Sequence, residues 1–523
     1  MKLIKQIQFF IYFLVLSFAS LEAEDWSLPK TIGSTVSSAS DIAVDDAGDA
    51  ICVFLHSEGI NQRVRSAFRP SKQEWIIFDD ALSSTDLNAT SPHVAMSKIG
   101  NATAVWEATG FAHPFIQTAT FDIKKNRWST PFNLTGPIEL GADPIVGIDH
   151  EGNSLVIWSI FDGVSFRIQS AILSHAESNW TYLAEMIVER AYNLDLAIDP
   201  AGNAVLVWEG SAGFKTIIQA AVLHYGTYRW VQTHDVTPSN VSSTLPKIGV
   251  NQAGDAIAVW SEQFFIFTSI SSAKLLFGTT TWGPINKLTS QMNSHFPDIA
   301  VDPKGNAVAV WVDFPNENQA SMQAATLKAG SSIWSNPTTL ATSSTMISPE
   351  VVTDKQGNAV AVWVAAEGVQ TSLLPIGQNW SAPETITAPE GGAITSQGIA
   401  MSPCSFAVIT YTAQILSIQL IEAVHSKKIF PPMLDLDLRG KMMKWDCHPF
   451  LRCKNRLKWN PDSSGCVTHY LLKKNGKVIA KIPEHGPYKY DDRVLCQSRK
   501  NAYTVTAVKS NGATYTSSTV VLP

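Results

Sequence analysis

The sequence predicts an all-β chain, and three observations carry that prediction. A motif of two apolar runs around a D-x-x-G-N/D turn returns eight times. A tryptophan stands at a fixed phase between successive copies. The residues after 437 read as short strands with two Asn-Gly turns, Asn475-Gly476 and Asn511-Gly512, a pairing that favours tight hairpins.

The motif reads IAVDDAGDAICVF at 42–54, VAMSKIGNATAVW at 94–106, VGIDHEGNSLVIW at 146–158 and LAIDPAGNAVLVW at 196–208. It continues as IGVNQAGDAIAVW at 248–260, IAVDPKGNAVAVW at 299–311, VVTDKQGNAVAVW at 351–363 and a degenerate IAMSPCSFAVITY at 399–411. Its glycines are Gly48, Gly100, Gly152, Gly202, Gly254, Gly305 and Gly357, spaced by 52, 52, 50, 52, 51 and 52 residues, with Ser405 in the eighth copy. The aspartate can accept backbone N–H groups two residues on, and glycine supplies the positive φ that the turn needs. Each copy is therefore a tight β-hairpin. Its strands are apolar almost throughout, so both faces of the sheet are covered.

The interleaved tryptophans are Trp26, Trp75, Trp128, Trp180, Trp230, Trp282, Trp334 and Trp380. Before most of them lies another apolar stretch, such as IQTATFDI at 116–123 or MQAATLKA at 322–329. One period thus holds four strands, the size of a propeller blade. Trp26-Ser27-Leu28-Pro29 precedes the first hairpin, and the run 415–424 after the eighth has no tryptophan strand behind it. The N-terminal strand can complete the last blade and close the ring. The chain resembles a β-propeller repeat protein of eight blades, or of seven if the degenerate eighth copy packs otherwise. Six hairpins end in tryptophan (Trp106, Trp158, Trp208, Trp260, Trp311, Trp363), with Phe54 and Tyr411 at the same place in the first and last. Fourteen of the sixteen tryptophans thus sit at repeat positions and are expected in the core between blades rather than in a sugar site.

Composition fits an exported, folded chain. Its 523 residues are 45% hydrophobic and 16% charged, with net charge −6. No long basic run supports nucleic-acid binding. Lys2 and Lys5, the apolar run from Ile7 to Phe18 and the small residue Ala23 have the order of a secretory signal over residues 1–23. No other stretch is long and apolar enough for a membrane span. The expected organisation is a signal peptide (1–23), a propeller (24–426), a linker (427–436) and a C-terminal module (437–523).

Four cysteines of that module, Cys447, Cys453, Cys466 and Cys496, suggest two disulfides of undecided connectivity. Cys52 and Cys404 are expected as small buried apolar residues. Trp459, Tyr470 and Tyr503, the last in YTVTAV before an Asn-Gly turn, resemble the core aromatics of a fibronectin type III domain over about 455–523. That resemblance implies a β-sandwich and no activity.

No nucleophile elbow, HExxH helix, P-loop or Rossmann glycine pattern occurs. No catalytic residue, cofactor or metal site is expected. The turn aspartates Asp45, Asp149, Asp199, Asp302 and Asp354 are read as turn caps rather than calcium ligands, since each loop offers too few oxygens. The expected function is non-enzymatic: an exported binding or scaffold protein whose partner is an extracellular or envelope protein, or a glycan. The alternative is a carbohydrate-active propeller, lectin or glycoside hydrolase. It would draw on departures from the repeat near one rim, such as Arg63, Arg65, Glu107, His113, Arg167, Glu209, Glu262 and Asp313. A hydrolase needs two carboxyl groups within about 10 Å.

Overall fold

The computed structural model describes residues 26–522 apart from 34–36, 111–112, 137–139, 162, 164, 290–292, 387–392, 416–417, 427–437, 445–451, 461–466, 484–485, 496–499 and 510–513. The signal segment and the whole linker lie outside these residues, as do Cys447, Cys466 and Cys496. Of Cys453 only the backbone, in strand Arg452–Lys458, is described. The expected disulfides therefore fall outside what is described. Cys52 is a free, buried thiol, whereas Cys404 is buried and disulfide-bonded, which corrects its reading as a plain apolar residue.

Every described element is a β-strand, and the fold is propeller-like. Eight antiparallel sheets follow one another along the chain, numbered here one to eight, each built on a motif hairpin. Sheet six shows the pattern: Ser294–Val301, Ala307–Asn316, Gln319–Leu327 and Thr338–Ser343 pair in sequence order. The first strands are Ser37–Val44, Asn88–Met96, Gly141–Ile148, Tyr192–Ile198, Ser242–Val250, Ser294–Val301, Met346–Thr353 and Ala393–Met401. Each contacts the next, and the eighth contacts the first, so they form the inner wall of a ring. Sheet eight takes its outer strand from the other end of the chain: Lys30–Gly33 pairs with Ile418–His425, with Thr31 opposite Glu422.

The turn chemistry works as the sequence implies. The motif glycines have φ between 84° and 97°, and Ser405 adopts 68° in the eighth copy. Asp354 is representative. Its Oδ1 accepts the N–H groups of Gln356, Gly357 and Asn358 at 2.9 Å, and its Oδ2 accepts the Asn358 amide at 2.6 Å. The Ser405 hydroxyl, from the next sheet, donates to the same Oδ2. The caps thus also clasp neighbouring sheets.

The tryptophans that end the hairpins are fully buried, as are Phe54 and Tyr411. Trp311 lies among Ile257, Val259 and Ile270 of sheet five and Ile299, Ala309 and Leu327 of its own sheet. Outer tryptophans reach back one sheet: Trp230 Nε1 donates to Ser170, Trp282 to Thr233 and Trp334 to Ser272. The described tryptophans of the repeat are core and clasp, not an exposed sugar platform.

The C-terminal unit has two sheets. Arg439–Lys444, Arg452–Lys458 and Lys489–Leu495 form one; Val467–Lys474, Lys477–Pro483, Asn501–Lys509, Thr514–Thr516 and Val520–Leu522 form the other. Trp459, Tyr470 and Tyr503 share its core with Leu457, Leu472 and Val505. The Tyr503 hydroxyl donates to Asp492 at 2.6 Å and accepts from Asn455 at 3.0 Å.

Candidate functional site at the centre of the ring

The first strand of each sheet is its inner edge, where N–H and C=O groups lack a ladder partner. Six of these strands carry the same device. Their pairing slips between Thr90 and His93, Ala142 and Ile145, Tyr192 and Asp195, Thr244 and Lys247, His295 and Asp298, and Ile347 and Glu350. Within each slip one non-glycine residue has positive φ: Ser91, Asp143, Asn193, Leu245, Phe296 and Ser348, all between 48° and 55°. In five of the six, proline follows: Pro92, Pro144, Pro246, Pro297 and Pro349. Proline suits a bulge on an edge strand, where its missing N–H costs no ladder bond. A bulge also re-aims the side chain that comes after it.

The residue after the bulge is the one that varies. Counting round the ring, the position just before each motif holds Asp41, His93, Ile145, Asp195, Lys247, Asp298, Glu350 and Gly398. All but Gly398 line a cavity of about 710 Å³. Asp143, Asn193, Phe296 and Ser348 from the bulges line it too.

Four of these carboxylates each close a seam. Asp41 Oδ2 accepts Val94 N–H at 2.9 Å, Asp195 Oδ2 accepts Ile248 N–H at 2.7 Å, Asp298 Oδ2 accepts Val351 N–H at 2.7 Å and Glu350 Oε2 accepts Ile399 N–H at 3.1 Å. In every case the donor belongs to the next sheet's inner edge. The other oxygens are not needed for these clasps. Lys247 stands between acids, with its Nζ 3.7 Å from Asp195 Oδ1. His93 Nδ1 lies 3.3 Å from Asp41 Oδ2.

The enclosure separates these groups in proton affinity. Burial pushes Asp298 up to about 6, against the pull of the Lys247 charge. Burial pushes Glu350 further, to about 8, and the neighbouring Asp298 charge adds to it. Lys247 is held above the usual lysine range, chiefly by Asp195 and then by Asp298 and Glu350, so it stays charged. At neutral pH the cavity holds a protonated carboxyl, an ionised carboxylate and a fixed cation. That is the stock of an acid–base site.

A stability consequence follows. A raised carboxyl binds its proton more tightly folded than unfolded, so its contribution is full below the ordinary carboxylate range and is lost as pH rises through the folded value. Asp45, raised by burial to about 7, acts in the same direction as Glu350. The lowered histidines, His150, His295 and His469, exert their effect below their ordinary value of 6.5. Chemical denaturation between about pH 6.5 and 8 is expected to show stability falling as pH rises, with a shallower slope in Glu350→Gln. A rising slope would contradict the assignment.

The rim residues named from the sequence do not converge. Glu107 and Glu209 hold the bulge of the next sheet: Glu107 Oε1 accepts Asp143 N–H and Glu209 Oε1 accepts Leu245 N–H, both at 2.8 Å. Asp313 accepts Trp311 Nε1–H at 2.9 Å and the Ser294 hydroxyl at 2.6 Å. Glu262 accepts from Ser271 at 2.7 Å and pairs with Lys287. Arg63 and Arg65 pair with Glu58, and Arg167 with Glu185. His113 is exposed. Sequence reading missed the cavity residues themselves. The signal was one charged or polar position per period ahead of a constant apolar run.

No family model matches the chain, and no curated protein matches it. Solved structures do. An α-L-arabinofuranosidase of Fusarium graminearum in complex with an iminosugar inhibitor is 13% identical, spans 55% of this chain and 92% of its own, and has a TM-score of 0.36. A variant of the NanB sialidase of Streptococcus pneumoniae is 8% identical over 79% of this chain and 72% of its own, at 0.38. The polysaccharide lyase Uly1 is 8% identical over 69% and 94%, at 0.42. These proteins are enzymes, which runs against the expectation of a non-enzymatic chain. Likeness at this level bears on the β fold alone and assigns no substrate.

Proposed function

We propose that this chain is an exported carbohydrate-active protein, an eight-bladed propeller that takes a sugar in its central cavity and cleaves a glycosidic bond there. The observation that carries the reading is the pair of unequal carboxyl groups in one cavity, Glu350 near 8 and Asp298 near 6. Glu350 keeps its proton at neutral pH and can donate it to a leaving oxygen. Asp298, ionised beside Lys247, can act as base or nucleophile. Phe296, 41% exposed at the cavity, offers an apolar face to a sugar ring. The C-terminal unit is a fibronectin type III-like spacer in this reading, and no cofactor is required.

The test is a screen of chromogenic glycosides and plant and animal polysaccharides with the full chain, read by product release, alongside calorimetric titration of the same sugars. Hydrolysis that disappears in Asp298→Asn supports the reading. Neither turnover nor heat of binding for any sugar would remove it.

A further inference from the structure

We propose that the face carrying the bulges docks on an anionic lipid surface through the hairpin tips of sheets four and five. Within each sheet the second and third strands meet at the end where the first strand begins. These tips therefore share a face with the bulges. In sheet four, Ala212 pairs with Lys215, which leaves Gly213-Phe214 as the turn. In sheet five, Phe264 pairs with Phe267 around Phe265-Ile266. Phe214 is 109% exposed, Phe265 82% and Ile266 84%: nothing in the described chain covers them. The apolar surface continues into sheet three. The Phe161 and Phe166 rings lie 4.7 Å apart at a tilt, and Phe166 meets Tyr192 of sheet four edge to face at 5.3 Å.

The shape and the charges select the occupant. These side chains stand out from two-residue turns instead of lining a groove, and a protein partner would need a deep pocket for each. A lipid interface accepts protruding apolar groups, provided the backbone that enters is already paired, as it is in a tight hairpin. Lys215 follows Phe214 directly, is exposed and forms no ion pair among the described residues. The Arg190 guanidinium lies 4.9 Å over the Tyr192 ring. Among the described acids at this edge, Glu185 is paired with Arg167, and Glu189 accepts from the Ser211 hydroxyl while keeping its charge. By contrast, the sheet six tip, Asn316-Glu317-Asn318, is polar. The sheet one tip also carries an exposed apolar residue, Ile60 at 99%, so the tips of sheets four and five stand out by their aromatic side chains.

The experiment is flotation of the full chain with vesicles of phosphatidylcholine, alone or mixed with phosphatidylglycerol. Binding to the mixed vesicles is expected. It should fall by about tenfold or more in the double variant Phe265→Asp, Ile266→Asp and in Phe214→Asp, since each replaces inserted apolar surface by charge. Glu317→Ala should bind as wild type. Lys215→Glu should weaken binding to the mixed vesicles and leave any binding to phosphatidylcholine unchanged. Absence of flotation with both compositions overturns the proposal, as does a double variant that floats like wild type. Sedimentation equilibrium provides the remaining check: a wild-type dimer dissolved by the double variant would assign the face to a second copy and overturn the lipid reading.

Discussion

Glu350→Gln is expected to lower glycoside turnover by about 10²–10⁴-fold, the usual contribution of a positioned acid. Glutamine keeps an oxygen that can accept Ile399 N–H, so the seam that Glu350 closes survives. What disappears is the proton. The wild-type rate should follow a bell with its acid limb near 6, where Asp298 ionises, and its alkaline limb near 8, where Glu350 loses its proton. The residual rate of the variant should keep the acid limb and lose the alkaline one. Lys247→Met acts on both groups: without the cation that opposes burial, the acid limb moves up and the alkaline limb moves up with it. Wild-type turnover in Glu350→Gln would eliminate the carboxyl as the proton donor.

Trp311→Ala is expected to cost about 3–5 kcal/mol of stability, the range for removing a buried aromatic side chain. The indole is fully buried between sheets five and six. Its Nε1 also satisfies Asp313 Oδ1 at 2.9 Å, so truncation removes a partner from a buried carboxylate. Trp334→Ala, at a half-buried outer position, should cost visibly less despite the lost bond to Ser272. Urea titration of both variants decides it. Equal losses would mean that the hairpin tryptophans are not the mortar between sheets.

Much of the fold was legible because its causes are local. Asp354 caps three N–H groups within four residues of itself, and Gly357 takes the positive φ that the turn demands, so motif and hairpin coincide in sequence. The tryptophans declare themselves by period. The cavity was less legible because it is made across sheets. Asp298 meets Val351 and Lys247 meets Asp195 at separations near one period, and neither pairing leaves a mark within a single copy. Glu107 and Glu209 misled for the opposite reason. As charged residues just past a constant tryptophan they looked like rim chemistry, whereas they hold the strained bulge of the neighbouring sheet.

The closure of sheet eight also sets the order of events in folding. Strand Lys30–Gly33 must find Ile418–His425, and the hydroxyl of Thr31 bonds a carboxylate 391 residues further along the chain. Seven sheets can form from neighbouring segments, but the eighth cannot finish until nearly the whole ring has been made. Contacts of such long range are slow to form, because loop closure is paid for before they return anything. Once made, the same pairing works as a latch. Neither terminus of the ring can peel away alone, so unfolding should have a high barrier, and the protein's persistence would be governed by a rate more than by an equilibrium.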